Sequence, residues 1–329
     1  MPTRTMTPRK LLIVAAASAA LMFVGSAPAL AAGNDINPGD SLYSISCDQL
    51  QNTWQLFSVD APTAFSTKVG AGSGTAEEFG CAFQPAYDVT TGKSYYIQLA
   101  NQETTSLAQI DVTTGVSTTL GSFVFDNGDG FTPLVLESIA IGLDGSIYAF
   151  SNRALYSLTL TGLTPTTPGV ATLIKSGLPP DVFAFAADPK SGVLYAIDLD
   201  NEVFSVDGST GEKTDLGLVP SDDDRNRINS LQIDGAGRFW LEVDILDNGG
   251  VRASALRSWT LGSSAYPTNS GIFTDERYKT RAILIIPGVV PATLPKTGSD
   301  AGSLAIAAGA GVAALTLGLL LVLRRRRVA

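Results

Sequence analysis

Three groups of residues in this 329-residue chain have the type and spacing for chemistry. The first is a pair of carboxylates, Glu137 and Asp181, each two residues ahead of an apolar segment. Two carboxyl groups several ångström apart can act as acid and base on a glycosidic bond. The second is a pair of oxygen-rich turns, Asp126-Asn-Gly-Asp-Gly130 and Asp244-Ile-Leu-Asp-Asn-Gly249. Asp126, Asp129, Asp244 and Asp247 offer the closely spaced oxygens that Ca²⁺ requires. Neither turn completes the EF-hand pattern, and ordinary Asx turns use the same residues. The third is Leu294-Pro295-Lys296-Thr297-Gly298, whose proline favours the extended or turning backbone that a protease groove grips.

What the chain lacks narrows the field. It contains no histidine. Ser-His-Asp and Cys-His nucleophiles, HExxH sites and imidazole zinc sites are therefore excluded. Catalysis, if any, runs on carboxylates, Tyr, Lys or Arg. No glycine-rich phosphate loop follows a strand and opens a helix.

The two ends are sorted by hydropathy and charge. Arg4, Arg9 and Lys10 precede an apolar run from Leu11 to Val24, and Ala29-Leu30-Ala31 follows, the pattern of a signal peptide cleaved near Ala31. At the other end an apolar run from Ala301 to Leu323, at roughly 1.5 Å per residue, matches a hydrocarbon core of about 30 Å. Arg324, Arg325, Arg326 and Arg327 then act as a stop-transfer cluster that stays cytoplasmic. The expected organisation is a signal peptide over 1–31, one domain over 32–288, a linker with the pentapeptide over 289–298, a membrane helix over 299–323 and a basic tail over 324–329.

The order of pentapeptide, apolar run and arginines resembles the LPxTG sorting signal of Gram-positive, actinobacterial-type wall proteins. In that family the cysteine of sortase attacks the Thr-Gly bond, here Thr297-Gly298, and passes the threonine carbonyl to a peptidoglycan amine. The resemblance implies sortase and peptidoglycan as partners and the cell surface as location, with the membrane involved only through the tail before sorting.

Between residues 32 and 297 the chain carries 15 basic and 30 acidic residues, a net charge of about −15 that argues against nucleic acid as a partner. Its two cysteines, Cys47 and Cys81, both lie in this exported part, where thiols oxidise, and one pairing is open to them. A Cys47–Cys81 disulfide would add a few kcal/mol by closing a loop of that size.

Four segments of the body share one plan: an apolar strand, an Asp, a short turn with Gly, and a strand carrying an aromatic. Their turns are Asp88-Val-Thr-Thr-Gly92, Asp144-Gly145, Asp188-Pro-Lys-Ser-Gly192 and Asp234-Gly-Ala-Gly237, and their aromatics are Tyr96, Tyr148, Tyr195 and Trp240. Asp and Gly suit such hairpin turns. Third strands with period-2 alternation follow at Leu107–Val112, Leu155–Leu160, Val203–Asp207 and Ala255–Leu261, with fourth strands at Ser117–Leu120, Ala171–Ile174 and Lys213–Leu216. Four strands per repeat is the pattern of a β-propeller blade.

The N-terminal unit lacks a first strand, and Arg281-Ala-Ile-Leu-Ile-Ile-Pro287 is a first strand with no unit behind it. Joining the two ends removes both exposed edges. The expected fold is all-β, a five-bladed propeller closed by a C-terminal strand. A sixth blade built from Phe123 to Leu136 is the alternative. In style the repeats resemble the YVTN, NHL and WD40-like propellers of bacterial surface proteins, although the WD dipeptide is absent.

On that topology the residues two before each inner apolar core, Phe79, Glu137, Asp181, Asn229 and Arg281, ring one mouth. The reading is a wall-anchored display protein whose propeller is a non-catalytic binding or adhesion scaffold for an extracellular protein or glycan, with no cofactor; calcium at the two acidic turns is the alternative to ordinary Asx turns. The alternatives are a glycoside hydrolase working through Glu137 and Asp181, and a purely structural surface protein.

Overall fold

A computed structural model of the chain describes residues 35–48, 53–70, 82–99, 104–220, 227–247, 250–273 and 278–288. The chain divides into two units, Met1–Gly288 and Val289–Ala329, and the second lies outside the described residues. No helix occurs among the described residues, so none there is long and apolar enough to cross a membrane.

The strands in chain order are β1 (Ser41–Asp48), β2 (Thr53–Asp60), β3 (Phe65–Lys68), β4 (Ala82–Asp88), β5 (Lys93–Leu99), β6 (Thr105–Ile110), β7 (Ser117–Asp126) and β8 (Phe131–Leu134). They continue with β9 (Ser138–Ile141), β10 (Ile147–Ser151), β11 (Ala154–Thr159), β12 (Gly169–Ser176), β13 (Ala184–Ala187), β14 (Leu194–Ile197) and β15 (Glu202–Val206). The last are β16 (Lys213–Leu218), β17 (Arg227–Ile233), β18 (Phe239–Asp247), β19 (Gly250–Trp259), β20 (Thr268–Ile272) and β21 (Tyr278–Ile286).

Three sheets hold four strands each, in the orders β21-β1-β2-β3, β13-β14-β15-β16 and β17-β18-β19-β20. A nine-stranded sheet joins two further antiparallel arrays, β4-β5-β6-β7 and β9-β10-β11-β12, through parallel pairing of β7 with β12. Here Phe123 to Leu136 do form strand, but not a separate array. Residues Phe123–Asp126 extend β7 and hairpin onto β8, with Phe123 opposite Leu134.

The first strands β21, β4, β9, β13 and β17 neighbour one another in that cyclic order, so the arrays stand around a common axis in a propeller-like arrangement. The closing pair is explicit. Leu42 lies opposite Ile285 and Ser44 opposite Ile283, and the ladder shifts register between Ile45 and Ser46.

Side-chain alternation places the core between arrays. Trp54 and Tyr96, Phe150 and Phe185, and Tyr195 and Phe239 meet across successive arrays with ring centroids 5.4, 4.8 and 5.1 Å apart. Trp240 is buried with Leu42, Val59 and Ile283, which fills the boundary where the two ends of the domain meet. Burying each such side chain contributes about 2 kcal/mol. Burial also pushes the Tyr96 hydroxyl up to about 12, against the lowering effect of its 2.6 Å hydrogen bond with Ser117.

The turns at the C-terminal ends of the first and third strands repeat one device. In Asp88–Gly92, Asp111–Gly115, Asp188–Gly192 and Asp207–Gly211 the glycine N–H donates to the aspartate carbonyl at 2.7–2.8 Å. The aspartate carboxylate accepts the N–H two residues on, as from Thr90, Thr113, Lys190 and Ser209, each at 2.8 Å. The closing glycines have φ between 70 and 73°, which a side chain would strain. This end of the ring is the turn face; the opposite end, where the first strands begin, is the mouth face.

Candidate functional site

Glu137 directly precedes β9 and is half-buried. Its N–H donates to the Phe150 carbonyl at 2.9 Å, and its Oε1 accepts the Asn152 N–H at 2.9 Å. Asn152 and Arg153, with φ of 44 and 64°, form the two-residue connection from β10 to β11. Paired left-handed residues are what a type I′ hairpin needs. Burial raises the Glu137 carboxyl above the usual range, the Asn152 hydrogen bond pulls it back, and the nearby Asp181 charge raises it again.

Asp181 stands ahead of β13, exposed and left-handed at φ 54°. Ser138 Oγ donates to the Val182 carbonyl at 2.7 Å, which ties the entries of β9 and β13 together and brings Glu137 and Asp181 to one place on the mouth face. Beside them Leu178 is gripped by Arg153, whose carbonyl accepts the Leu178 N–H at 2.9 Å and whose Nε donates to the Leu178 carbonyl at 3.3 Å.

The other expected ring members sit differently. Asn229 lies inside β17, at a register shift between Ile228 and Ser230, not ahead of the strand. Its carbonyl accepts a hydrogen bond from Gln84 Nε2, and its buried Nδ2 has no partner. Arg281 lies within β21 opposite the β1 register shift, and its side chain is outside the description. Phe79 lies outside the described residues.

Gln84 is the residue that sequence reasoning passed over. It is 1% exposed, strained at φ 34°, and placed at a bulge in β4 between Phe83 and Pro85. A Gln-Pro step inside a strand pattern is the signal that would have found it. Below it Gln232 Nε2 donates to the Pro85 carbonyl at 2.9 Å while its Oε1 accepts the Ile285 N–H at 3.4 Å, and Ser230 Oγ accepts the Ile283 N–H at 3.2 Å. These side chains satisfy the free edge of β21 and fill the axis.

A cavity of about 30 Å³ opens instead on the turn face, lined by Ala86, Tyr87, Phe185, Ile233, Ile285 and Pro287. Its lining mixes apolar side chains with polar groups, Gln232 among them, and it has room for a water or so, not a sugar.

The acidic turns are engaged locally. Asp126 Oδ1 accepts the Gly128 N–H and Asn127 Oδ1 the Asp129 N–H, each at 2.9 Å, while Asp244 Oδ1 accepts from Ser254 Oγ at 3.2 Å. Among the described residues no three His, Cys, Asp or Glu side chains are arranged to hold a metal, and the Asp247 side chain is not described. Cys47 lies near the end of β1 with its side chain outside the description, and Cys81 precedes β4 outside the described residues, so the expected Cys47–Cys81 pairing falls outside them and no disulfide is found among the described residues. Leu294 to Gly298, the apolar run and Arg324 to Arg327 likewise lie outside them.

Residues 290–329 match the LPXTG cell wall anchor motif. The chain is exported and covalently anchored to the cell wall. No curated protein sequence matches it. Among solved structures it is similar to TolB from Acinetobacter baumannii, at 13% identity over 77% of this chain and 68% of that one, with a TM-score of 0.44. It is also similar to a luciferin-regenerating enzyme, at 12% identity over 72% of this chain and 78% of that one, with a TM-score of 0.41. Likeness at that level carries nothing about activity.

Proposed function

We propose that this wall-anchored chain displays a five-bladed propeller as a non-catalytic scaffold, and that its Glu137–Asp181 sector contacts an extracellular protein or glycan. The observation that carries the reading is the wall anchor at 290–329 behind an all-β domain. Sortase would join the Thr297 carbonyl to peptidoglycan. The blade count rests on the cyclic order of five first strands and on the pairing of β1 with β21. Glu137 holds the β10–β11 hairpin by accepting the Asn152 N–H, a positioning task that leaves its charge beside Asp181 on the mouth face.

One observation favours the hydrolase alternative, the raised Glu137 carboxyl next to a second acid. Glycan-array and surface pull-down assays on wild type and on Glu137→Gln with Asp181→Asn decide between the readings. Binding that disappears in the double variant, without turnover of any polysaccharide, supports the scaffold. Turnover abolished by Glu137→Gln replaces it with the enzyme, and binding that survives both substitutions removes the site.

A further inference from the structure

The chain passes from the domain toward its wall-attachment signal at Gly288. Asp40 Oδ1 accepts the Gly288 N–H at 2.8 Å and the Asn37 Nδ2 at 3.2 Å, while its Oδ2 accepts the Gly235 N–H at 2.6 Å. One carboxylate therefore holds the segment before β1, the end of β21 and the turn between β17 and β18. Arg238 Nη1 adds a bond to the Asp35 carbonyl at 3.0 Å. Gly39 and Gly288 meet backbone to backbone, so closely that a Cβ on Gly288 would lie 2.0 Å from the Gly39 oxygen.

Behind this contact lies the Ser41–Ile286 to Asp48–Tyr278 ladder. Antiparallel ladder bonds run across the strands. A pull along β21 from the mouth face toward Gly288 slides the strand past β1 and loads those bonds together. A pull that separates residue 35 from residue 288 opens the same ladder from the Ser41–Ile286 end, one pair at a time. In the first direction β21 must also release Ile283 and Ile285, buried side chains whose N–H groups are held by Ser230 and Gln232.

We propose that the β1–β21 ladder is a mechanical strap, strong when tension runs between the mouth face and the wall attachment and weak when the two ends of the domain are drawn apart, where the Asp40 clasp guards its Ser41–Ile286 end. The proposal rests on wall attachment alone and not on what the mouth binds. Its test therefore fails or succeeds apart from the binding assays.

The exported chain is tethered through Thr297 and stretched in optical tweezers against a handle at Leu199, exposed in the β14–β15 connection on the mouth face, or at Asp35. Rupture force is expected to be at least about twofold higher for the Leu199 handle, because bonds across the strands then share the load. Asp40→Ala is expected to lower the force for the Asp35 handle and leave the Leu199 value within error. Asp40→Asn, which keeps a carbonyl acceptor and the packing, serves if Asp40→Ala does not fold. Equal forces in the two geometries, or an Asp40 effect of equal size in both, overturns the proposal.

Discussion

The turn face and the mouth face of this domain use the same side chains to opposite effect. On the turn face, burial pushes against the charge of Asp88, but the hydroxyls and N–H groups of Thr90 and Thr91 outweigh it and hold the carboxyl below its ordinary value. Thr113 and Thr114 do the same for the exposed Asp111, and Ser209 and Thr210 hold Asp207 down at about 2. On the mouth face, burial dominates. Glu137 and Asp198 are raised, although Asn152 donates to the first and Glu202 and Asp200 to the second. An acid met by the hydroxyls as well as the N–H groups of its own turn is thus well satisfied, whereas a buried acid with backbone donors alone, Glu137 at a strand entry or Asp198 in the β14–β15 turn, retains an incompletely satisfied charge.

The sharpest way to break this comparison is to remove the most deeply buried turn acid. Asp234 is buried and accepts from Ala236 N, Arg238 N and Trp240 Nε1 at 2.9, 2.9 and 3.0 Å. Asp234→Ala strands three donors and is expected to cost about 3 kcal/mol, read from urea denaturation.

The pH dependence separates the faces next. The depressed turn-face carboxyls contribute stability above their unfolded value of about 3.9, and it is lost as pH falls toward about 2. The raised mouth-face carboxyls act in the other sense. Their burial penalty is relieved as pH falls through their raised values toward unfolded values of about 4. Melting temperature is therefore expected to peak in mild acid. Asp207→Asn should flatten the descent below the peak, and Glu137→Gln the rise above it; unchanged limbs in both variants would dissolve the distinction.

The smallest effect belongs to Asp198→Asn. The amide oxygen can still accept from Asp200 N and Glu202 N, both at 3.0 Å, and no charge is buried. The expected loss at neutral pH is below about 1 kcal/mol. A loss equal to that of Asp234→Ala would mean that the mouth face is as tightly satisfied as the turn face.

Much of this arrangement was readable in the sequence because it is written locally. Each Asp-x-x-x-Gly turn carries its own acceptor, donors and left-handed closing residue, and the apolar run Ala282–Ile286 announced a first strand needing the partner it finds in β1. Long-range pairing without a local signal was not readable. Nothing in Phe123–Phe125 says that it pairs in parallel with Gly169–Ala171 as well as with β8, so these residues suggested a further blade instead of a bridge. At the mouth, Glu137 and Asp181 fell together because their strands begin where apolar residues begin. Asn229 and Arg281 fell inside longer strands, at bulges whose position depends on the neighbouring ladder.

The bridge also sets where the ring can change. At the other array boundaries among the described residues, packing and a few side-chain hydrogen bonds join neighbours without a shared ladder. Between β7 and β12 backbone hydrogen bonding runs from one array into the next, so excising either array would cut a ladder that the neighbouring array shares.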